Sequence, residues 1–136
     1  MPVSMDLLRE VEIFEGLSDR DLKRIAGSFK QRVFPAGETI ATEGDRGVGF
    51  FVIGEGLVDY SINGESVGTG GPGDYFGEVA LIDDGPRSAT VTASTEVTAY
   101  GLTSWEFRPL VEESAGIAWG LLQVMAKRLR AANNRG

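Results

Sequence analysis

The 136-residue sequence contains no cysteine and no histidine. Without cysteine it forms no disulfides or thiolate metal sites, and without histidine it lacks the usual residue of zinc binding and general acid–base catalysis. No apolar run approaches the roughly 20 residues that a membrane-spanning helix needs, and the start MPVSMDLLREVEIF has no basic leader before an apolar block. We therefore expect a cytoplasmic protein that is not an enzyme and that needs no metal, cofactor or membrane.

Basic residues are also few, since 13 lysines and arginines stand against 20 aspartates and glutamates, a formal net charge of −7. Phosphate backbones bind concentrated basic surfaces, so we expect no direct contact with nucleic acid. The hydrophobic content of 42% is ordinary for a globular protein, and the 19 glycines indicate many turns. The length predicts a single domain over residues 1–136.

Residues 1–29 have the pattern of two short helices. Apolar residues recur at helical spacing from Met5 to Phe14, and Ser18 is placed to cap a second helix. The apolar side chains that the second helix would turn inward are Leu22, Ile25 and Ala26.

Residues 30–103 consist of short β-favouring runs that are separated by glycine turns. We count about eight strands with no long helix between them, which favours a sandwich, barrel or jelly roll over a parallel α/β sheet. Within SINGES, the pair Asn63-Gly64 predicts a type I′ hairpin, because both central positions of that turn need positive φ.

Residues 104–134 return to the helical period, first in SWEFRPLVEES and then in AGIAWGLLQVMAKRLRAANNRG. The second of these helices carries one apolar stripe made of Ile117, Leu121, Val124, Met125 and Leu129. Its opposite side carries Trp119, Leu122 and Ala126. We therefore expect this helix to have two covered faces, and we expect Trp105 of the first helix to lie in the core.

The stretch FGEVALIDDGPRSATV, residues 76–91, combines a glutamate and an arginine with apolar neighbours and glycine turns. A short helix fits after Gly77, where a ligand can approach the backbone and where unpaired N–H groups attract an anion. Arg87 presents a planar fork that suits two phosphate oxygens, and Ser88 adds a hydroxyl donor. Glu78 can accept a hydrogen bond from a sugar hydroxyl, so the stretch indicates a nucleotide site. The alternative is that Glu78 and Arg87 form a structural ion pair.

Two adjacent carboxylates, Asp83 and Asp84, lie in the turn of the same stretch. Such a pair can bind a metal, but adjacent carboxylates in a turn are usually solvated. We expect no metal at this position.

The stretch closely resembles the phosphate-binding cassette of the cyclic nucleotide-binding domain family, which includes catabolite activators and regulatory subunits of cAMP-dependent kinases. The family pattern, F-G-E-[LV]-[AG]-L followed by a short loop and P-R-[SAT]-A, is met at every anchor position. Upstream, FPAGETIATEGDRGVGFFVIGEGLVDYS resembles the first half of the family's roll, and GPGDYFGE resembles the approach to the cassette. The resemblance implies an eight-stranded antiparallel β-roll of jelly-roll type with N-terminal helices, a short phosphate-binding helix, and C-terminal B and C helices.

The resemblance also implies roles for individual residues. Glu78 would bind the ribose 2′-hydroxyl, Arg87 and Ser88 would hold the cyclic phosphate, and Ala89 would supply a backbone donor. The residues implied to make backbone contacts around the ribose phosphate are Gly77, Val79 and Ala80.

In relatives the last helix closes over the base as a lid or pairs with its twin in a dimer. The segment QVMAKRLR resembles the corresponding segment of that helix in the relatives. The resemblance implies that Arg128 would reach back to the ligand, and the alternative is that Arg128 lies on a solvated face of the helix. Counting from this segment, the resemblance implies that the base would be met around Ala132 and Asn133, and an asparagine can both donate to and accept from an adenine edge. A homodimer through this helix is therefore one expected partner.

The implied function is a non-catalytic sensor that binds 3′,5′-cAMP and signals to an unidentified effector protein or domain through movement of the last helix. Ser88 after the cassette arginine favours cAMP, with cGMP as the alternative ligand. A ligand-independent interaction module on the same fold is the second hypothesis. A metal oxidoreductase on a similar roll is excluded because the chain has no histidine to build its metal site.

Overall fold

The computed structural model of the chain describes residues 3–46, 49–83 and 85–134. Two four-stranded antiparallel sheets face each other, with strand orders β1-β8-β3-β6 and β2-β7-β4-β5. This confirms the predicted eight-stranded roll. The strands are β1 Lys30–Phe34, β2 Thr39–Ala41, β3 Gly49–Glu55, β4 Val58–Ile62, β5 Glu65–Gly70, β6 Tyr75–Phe76, β7 Thr90–Ala93 and β8 Val97–Thr103.

Helices flank the roll on the N-terminal and C-terminal sides, as expected. Among the described residues, none of them combines the length and the apolar character that crossing a membrane requires. The α-helices are α1 Met5–Arg9, α2 Asp19–Ala26, α3 Ser104–Glu113 and α4 Ala115–Asn133. The two 3₁₀ helices are Glu12–Phe14 and Glu78–Leu81.

The first predicted helix is interrupted after Arg9, because Val11 has an extended backbone and a 3₁₀ turn follows it. This break allows the apolar residues on both sides of it to be at most 1% exposed, namely Leu8, Val11, Ile13 and Phe14. The second helix begins as predicted, since Ser18 Oγ accepts a hydrogen bond from the Asp21 N–H.

The predicted hairpin joins β4 to β5, where Ile62 pairs with Glu65. Asn63 and Gly64 both have positive φ, 54° and 83°, as a type I′ turn requires. This prediction is therefore confirmed.

The buried side chains form two clusters. The first joins the N-terminal helices, β3, α3 and α4 around the aromatic residues Phe14, Phe50 and Phe107. The second lies between the two sheets and includes Phe34, Ile53, Val58, Val91 and Val97. The second cluster supports the cavity described below.

The prediction that Trp105 is a core residue is wrong, because its side chain is 63% exposed. Phe107, which is 1% exposed, occupies the inward position of α3. Two residues along an α-helix are separated by about 200°, so a helix that buries Phe107 turns Trp105 away from the core.

The apolar stripe of α4 is buried only in part. Ile117, Leu121 and Val124 are buried and Met125 is half-buried, but Leu129 is 63% exposed. The helix rests on the 3₁₀ helix Glu12–Phe14 and the turn after it, and Leu129 points away from that support. The second face, with Trp119, Leu122 and Ala126, is exposed, so the single chain covers one face of α4 and not two.

Candidate functional site

The 3₁₀ helix Glu78–Leu81 follows β6 directly, and Gly77 makes the transition in the left-handed region with φ of 82°. A Cβ at this position would come within 1.9 Å of Arg87 Nη1 and 2.7 Å of the Gly49 carbonyl oxygen. Glycine is therefore needed for the backbone conformation and for the close packing of the arginine. The second reason was not evident from the sequence.

Arg87 is held by the loop that precedes β3. Its N–H donates to the Asp45 carbonyl at 2.8 Å, and its carbonyl accepts from the Gly44 N–H at 2.9 Å. Its guanidinium donates through Nη2 to the carbonyl of Gly49. The main chain and the side chain of Arg87 are thus both fixed by contacts within the protein.

The guanidinium of Arg87 is partly removed from water. Burial lowers the pKa of Arg87, and the charge of Glu78 acts in the opposite direction. Arginine remains protonated in proteins, so the site holds a partly desolvated positive charge. Such a charge gains from an anion that enters beside it.

A cavity of about 450 Å³ lies between the cassette and residues of β2, β4, β6 and β7. This volume is within the usual range for small-molecule sites. The predicted site residues that line it are Gly77, Glu78, Val79, Ala80, Arg87, Ser88 and Ala89. Seven of the nine predicted residues are therefore brought together around one cavity.

Arg128 is not among the residues that line the cavity, but it contacts the cassette. Its Nη2 lies 3.6 Å from Glu78 Oε1. Its Nε lies 2.5 Å from Glu12 Oε1 on the first 3₁₀ helix. Within the described part of the chain, the ion pair of Glu78 is thus to Arg128, and the alternative of a structural Glu78–Arg87 pair does not describe this geometry.

Asn133 is the last residue of α4, is exposed, and is not among the residues that line the cavity. Its contact with a base stays a prediction. Asp83 lies at the cavity, whereas Asp84 lies outside the described residues. No group of three or more potential metal ligands occurs within residues 3–46, 49–83 and 85–134.

Four residues that were not predicted as site residues line the cavity from the sheet side, namely Ala41, Tyr60, Phe76 and Val91. Tyr60 and Val91 are partners in the β4–β7 register, which links positions that are distant in the chain. Burial and the charge of Asp74 raise the pKa of Tyr60. The alternation of apolar and polar residues along a strand indicates which side chains face inward. It does not indicate which of these side chains meet at a cavity.

Comparison with known proteins agrees with this geometry. The family model of the cyclic nucleotide-binding domain matches residues 31–114, more than half of the chain. The chain belongs to the cyclic nucleotide-binding domain family. The match begins in β1 and includes the whole cassette and α3.

One relative is a cAMP-dependent protein kinase regulatory subunit of Colletotrichum orbiculare, with 37% identity over 82% of this chain. The chain spans only 29% of the length of that relative.

Two solved structures share the fold. The N-terminal domain of a transcriptional regulator from Streptomyces coelicolor A3(2) has a TM-score of 0.87 and 33% identity, and the match covers 96% of this chain and 94% of that one. The regulatory domain of Toxoplasma gondii PKA, crystallised with cAMP, has a TM-score of 0.71 and 31% identity, with 78% of this chain and 42% of that one covered.

Proposed function

We propose that the domain binds 3′,5′-cAMP in the cavity beside the cassette and performs no chemistry on it. The observation that carries this proposal is the half-buried guanidinium of Arg87, which faces a cavity of about 450 Å³ together with the carboxylate of Glu78. Family membership supports a cyclic nucleotide as the ligand class. The names of the kinase relative and of the Toxoplasma gondii structure both mention cAMP.

In this proposal Arg87 binds the cyclic phosphate through its fork of donors, and Ser88 and Ala89 add a hydroxyl and a backbone donor. A charge-assisted bidentate contact is among the strongest hydrogen-bonded arrangements. The three bonds that fix Arg87 to Gly44, Asp45 and Gly49 support this role, because little ordering of the arginine is left for the binding step.

Glu78 accepts a hydrogen bond from the ribose 2′-hydroxyl. A carboxylate beside a phosphate is repulsive unless nearby cations compensate for it. Arg87 and Arg128 supply that compensation here, since Arg128 Nη2 lies 3.6 Å from Glu78 and the charges of Glu78 and Arg87 interact. Backbone groups of Gly77, Val79 and Ala80 complete the contacts around the ribose phosphate.

The preference for cAMP over cGMP rests on Ser88 and on the names of the relatives. Asn133 would meet the adenine edge only after α4 moves toward the cavity, because it lies outside the cavity lining. Movement of α4 is therefore the proposed signal, and the chain acts as one regulatory domain in the cytoplasm.

The proposed partner is an effector protein or a further domain, with a second copy of α4 as the alternative. The relatives are a kinase regulatory subunit and a transcriptional regulator, so the fold is compatible with different outputs. We keep the expectation that this domain itself does not contact nucleic acid, on the basis of its net charge of −7.

Isothermal titration with cAMP and cGMP tests the proposal, with Arg87→Gln as the variant and Arg20→Gln as its control. Arg20 is an exposed arginine of α2 and lies far from the cassette in sequence. We expect Arg87→Gln to lose most of the cAMP affinity, because such charge partners contribute about 2–5 kcal/mol at desolvated sites. Wild-type protein that binds neither nucleotide would favour the ligand-independent interaction module.

A further inference from the structure

Arg128 stands between two carboxylates that belong to different parts of the chain. Its Nε lies 2.5 Å from Glu12 Oε1, and its Nη2 lies 3.6 Å from Glu78 Oε1. The closer contact is therefore with Glu12, which the nucleotide proposal does not use. The side chains of Arg128, Glu12 and Glu78 are 31%, 40% and 20% exposed, so water only partly screens the three charges.

The backbone holds Glu12 next to the cassette. Its N–H donates to the Tyr75 hydroxyl at 3.3 Å, and Tyr75 begins the strand that leads into Gly77. The main chain at Glu12 is thus anchored to β6 by a contact that does not involve Arg128.

The segment that carries Glu12 also supports α4. A Cβ on Gly120 would lie 3.1 Å from the carbonyl oxygen of Gly16, so the helix and the turn after Phe14 approach at backbone distance. Lys127 Nζ lies 2.9 Å from Glu15 Oε1 beside the Glu12 contact. Two neighbouring ion pairs and a glycine contact therefore hold α4 on residues 12–17.

Both partners of the Glu12–Arg128 pair are charged near neutral pH. The hydrogen bond from Arg128 lowers the pKa of Glu12, and burial opposes this effect only in part. Burial lowers the pKa of Arg128, but its contacts with Glu12 and the charge of Glu78 raise it by more.

Arg128 pairs with the carboxylates of Glu12 and Glu78, and the charge of Glu78 also acts on Arg87. Asp83 adds a further carboxylate to the cavity lining. A cyclic nucleotide adds one negative charge, and the 2.5 Å contact with Glu12 keeps Arg128 closer to the N-terminal 3₁₀ helix than to Glu78, from which its Nη2 is 3.6 Å away.

We infer that Glu12 restrains Arg128 on the N-terminal 3₁₀ helix and thereby weakens nucleotide binding, so that Glu12 sets the affinity of the site without touching the ligand. This inference rests on the proposed cyclic nucleotide function. Glu12 is a positioning residue whose contact with Arg128 belongs to the ligand-free state and is weakened when α4 moves toward the cavity. The contact therefore stabilises the free protein and opposes binding.

The test compares Glu12→Gln with wild type in two measurements, the melting temperature without ligand and the dissociation constant for cAMP at low salt. We expect the melting temperature to fall and the affinity to rise about two- to fivefold, the size of effect typical of partly exposed ion pairs. A residue with a merely structural role would lower the melting temperature without improving affinity.

Glu15→Gln is the matched control, because it removes an equal charge that pairs with Lys127 and not with Arg128. We expect it to lower the melting temperature but to raise the affinity less than Glu12→Gln does, because Lys127 does not pair with Glu78; an equal gain in the two variants would assign the effect to the docking of α4 and not to Arg128. In an Arg128→Gln background, Glu12→Gln should no longer alter the affinity. An unchanged or weaker affinity of Glu12→Gln, or a gain that persists without Arg128, would overturn the inference, whereas wild type that fails to bind cAMP would overturn the proposed function as well.

Discussion

The replacement of Gly77 by alanine isolates the packing of Arg87 against the cassette. At φ of 82° a non-glycine residue costs about 1–2 kcal/mol. The new Cβ would also lie 1.9 Å from Arg87 Nη1 and 2.7 Å from the Gly49 carbonyl oxygen. The arginine side chain can move aside, but the Gly49 backbone is part of β3, so we add an overpacking cost of about 1–3 kcal/mol.

Gly37→Ala is the matched control for this change. Gly37 has φ of 90°, and a Cβ added there meets nothing within 4 Å. Both variants share the left-handed strain and the reduced freedom of the unfolded chain. The difference between them therefore measures the contact at the cassette, which we expect to be about 1–3 kcal/mol in the free energy of unfolding.

Urea denaturation of the two variants and of wild type gives the free energies, and titration with cAMP gives the affinities. Because the Cβ would displace the guanidinium, Gly77→Ala should bind cAMP at least about tenfold more weakly, a loss of roughly 1.4 kcal/mol. Gly37→Ala should bind like wild type. If both variants lose equal stability and Gly77→Ala keeps its affinity, the packing of Arg87 on Gly77 is not what positions the phosphate contact.

The remaining predictions concern the ribose, the helix that moves and the junction before α3. Glu78→Gln should weaken cAMP binding about tenfold, wild type should bind 2′-deoxy-cAMP poorly, and the two losses should not add, as calorimetry would show. Bound cAMP should slow amide hydrogen exchange from Arg128 to Asn134, and equal exchange in both states would mean that the signal leaves by another surface. Glu106→Ala should cost about 1 kcal/mol at neutral pH, because it removes the side chain that completes the capping box with Thr103. Burial raises the pKa of Glu106, but hydrogen bonds from Thr103 and Lys30 lower it below 4.5 overall. The contribution of Glu106 to the free energy of unfolding is thus complete above pH 4.5 and is lost as the pH falls below that value. Urea titrations should therefore show a smaller difference in the free energy of unfolding between wild type and the Glu106 variant at lower pH, and a difference that stays constant with pH would contradict this prediction.

Local features of this protein could be predicted from the sequence because the signal and the structure lie in the same few residues. Asn63-Gly64 specifies its turn by backbone preference, and Ser18 caps its helix through an amide three residues away. The residues from Gly77 to Ala89 are contiguous, so the stretch that forms most of the cavity wall could be recognised as a unit.

Features that depend on packing between distant segments could not be predicted. The orientation of Trp105 follows from the burial of Phe107, and periodicity alone did not specify which of the two faces the core. Glu12 and Arg128 are 116 positions apart, and their contact depends on how α4 rests on Gly16. The exposure of Leu129 has the same origin, because the sequence does not show where the surface that supports α4 ends.

A crystal structure of the protein with cAMP would show whether Arg87 and Glu78 bind the nucleotide. We expect the cyclic phosphate about 3 Å from the guanidinium of Arg87, the ribose 2′-hydroxyl on the carboxylate of Glu78, and Arg128 farther from Glu12 than the present 2.5 Å. A complex in which cAMP lies outside the cassette cavity, or in which Arg87 keeps its bond to Gly49 and does not contact the phosphate, would contradict this expectation.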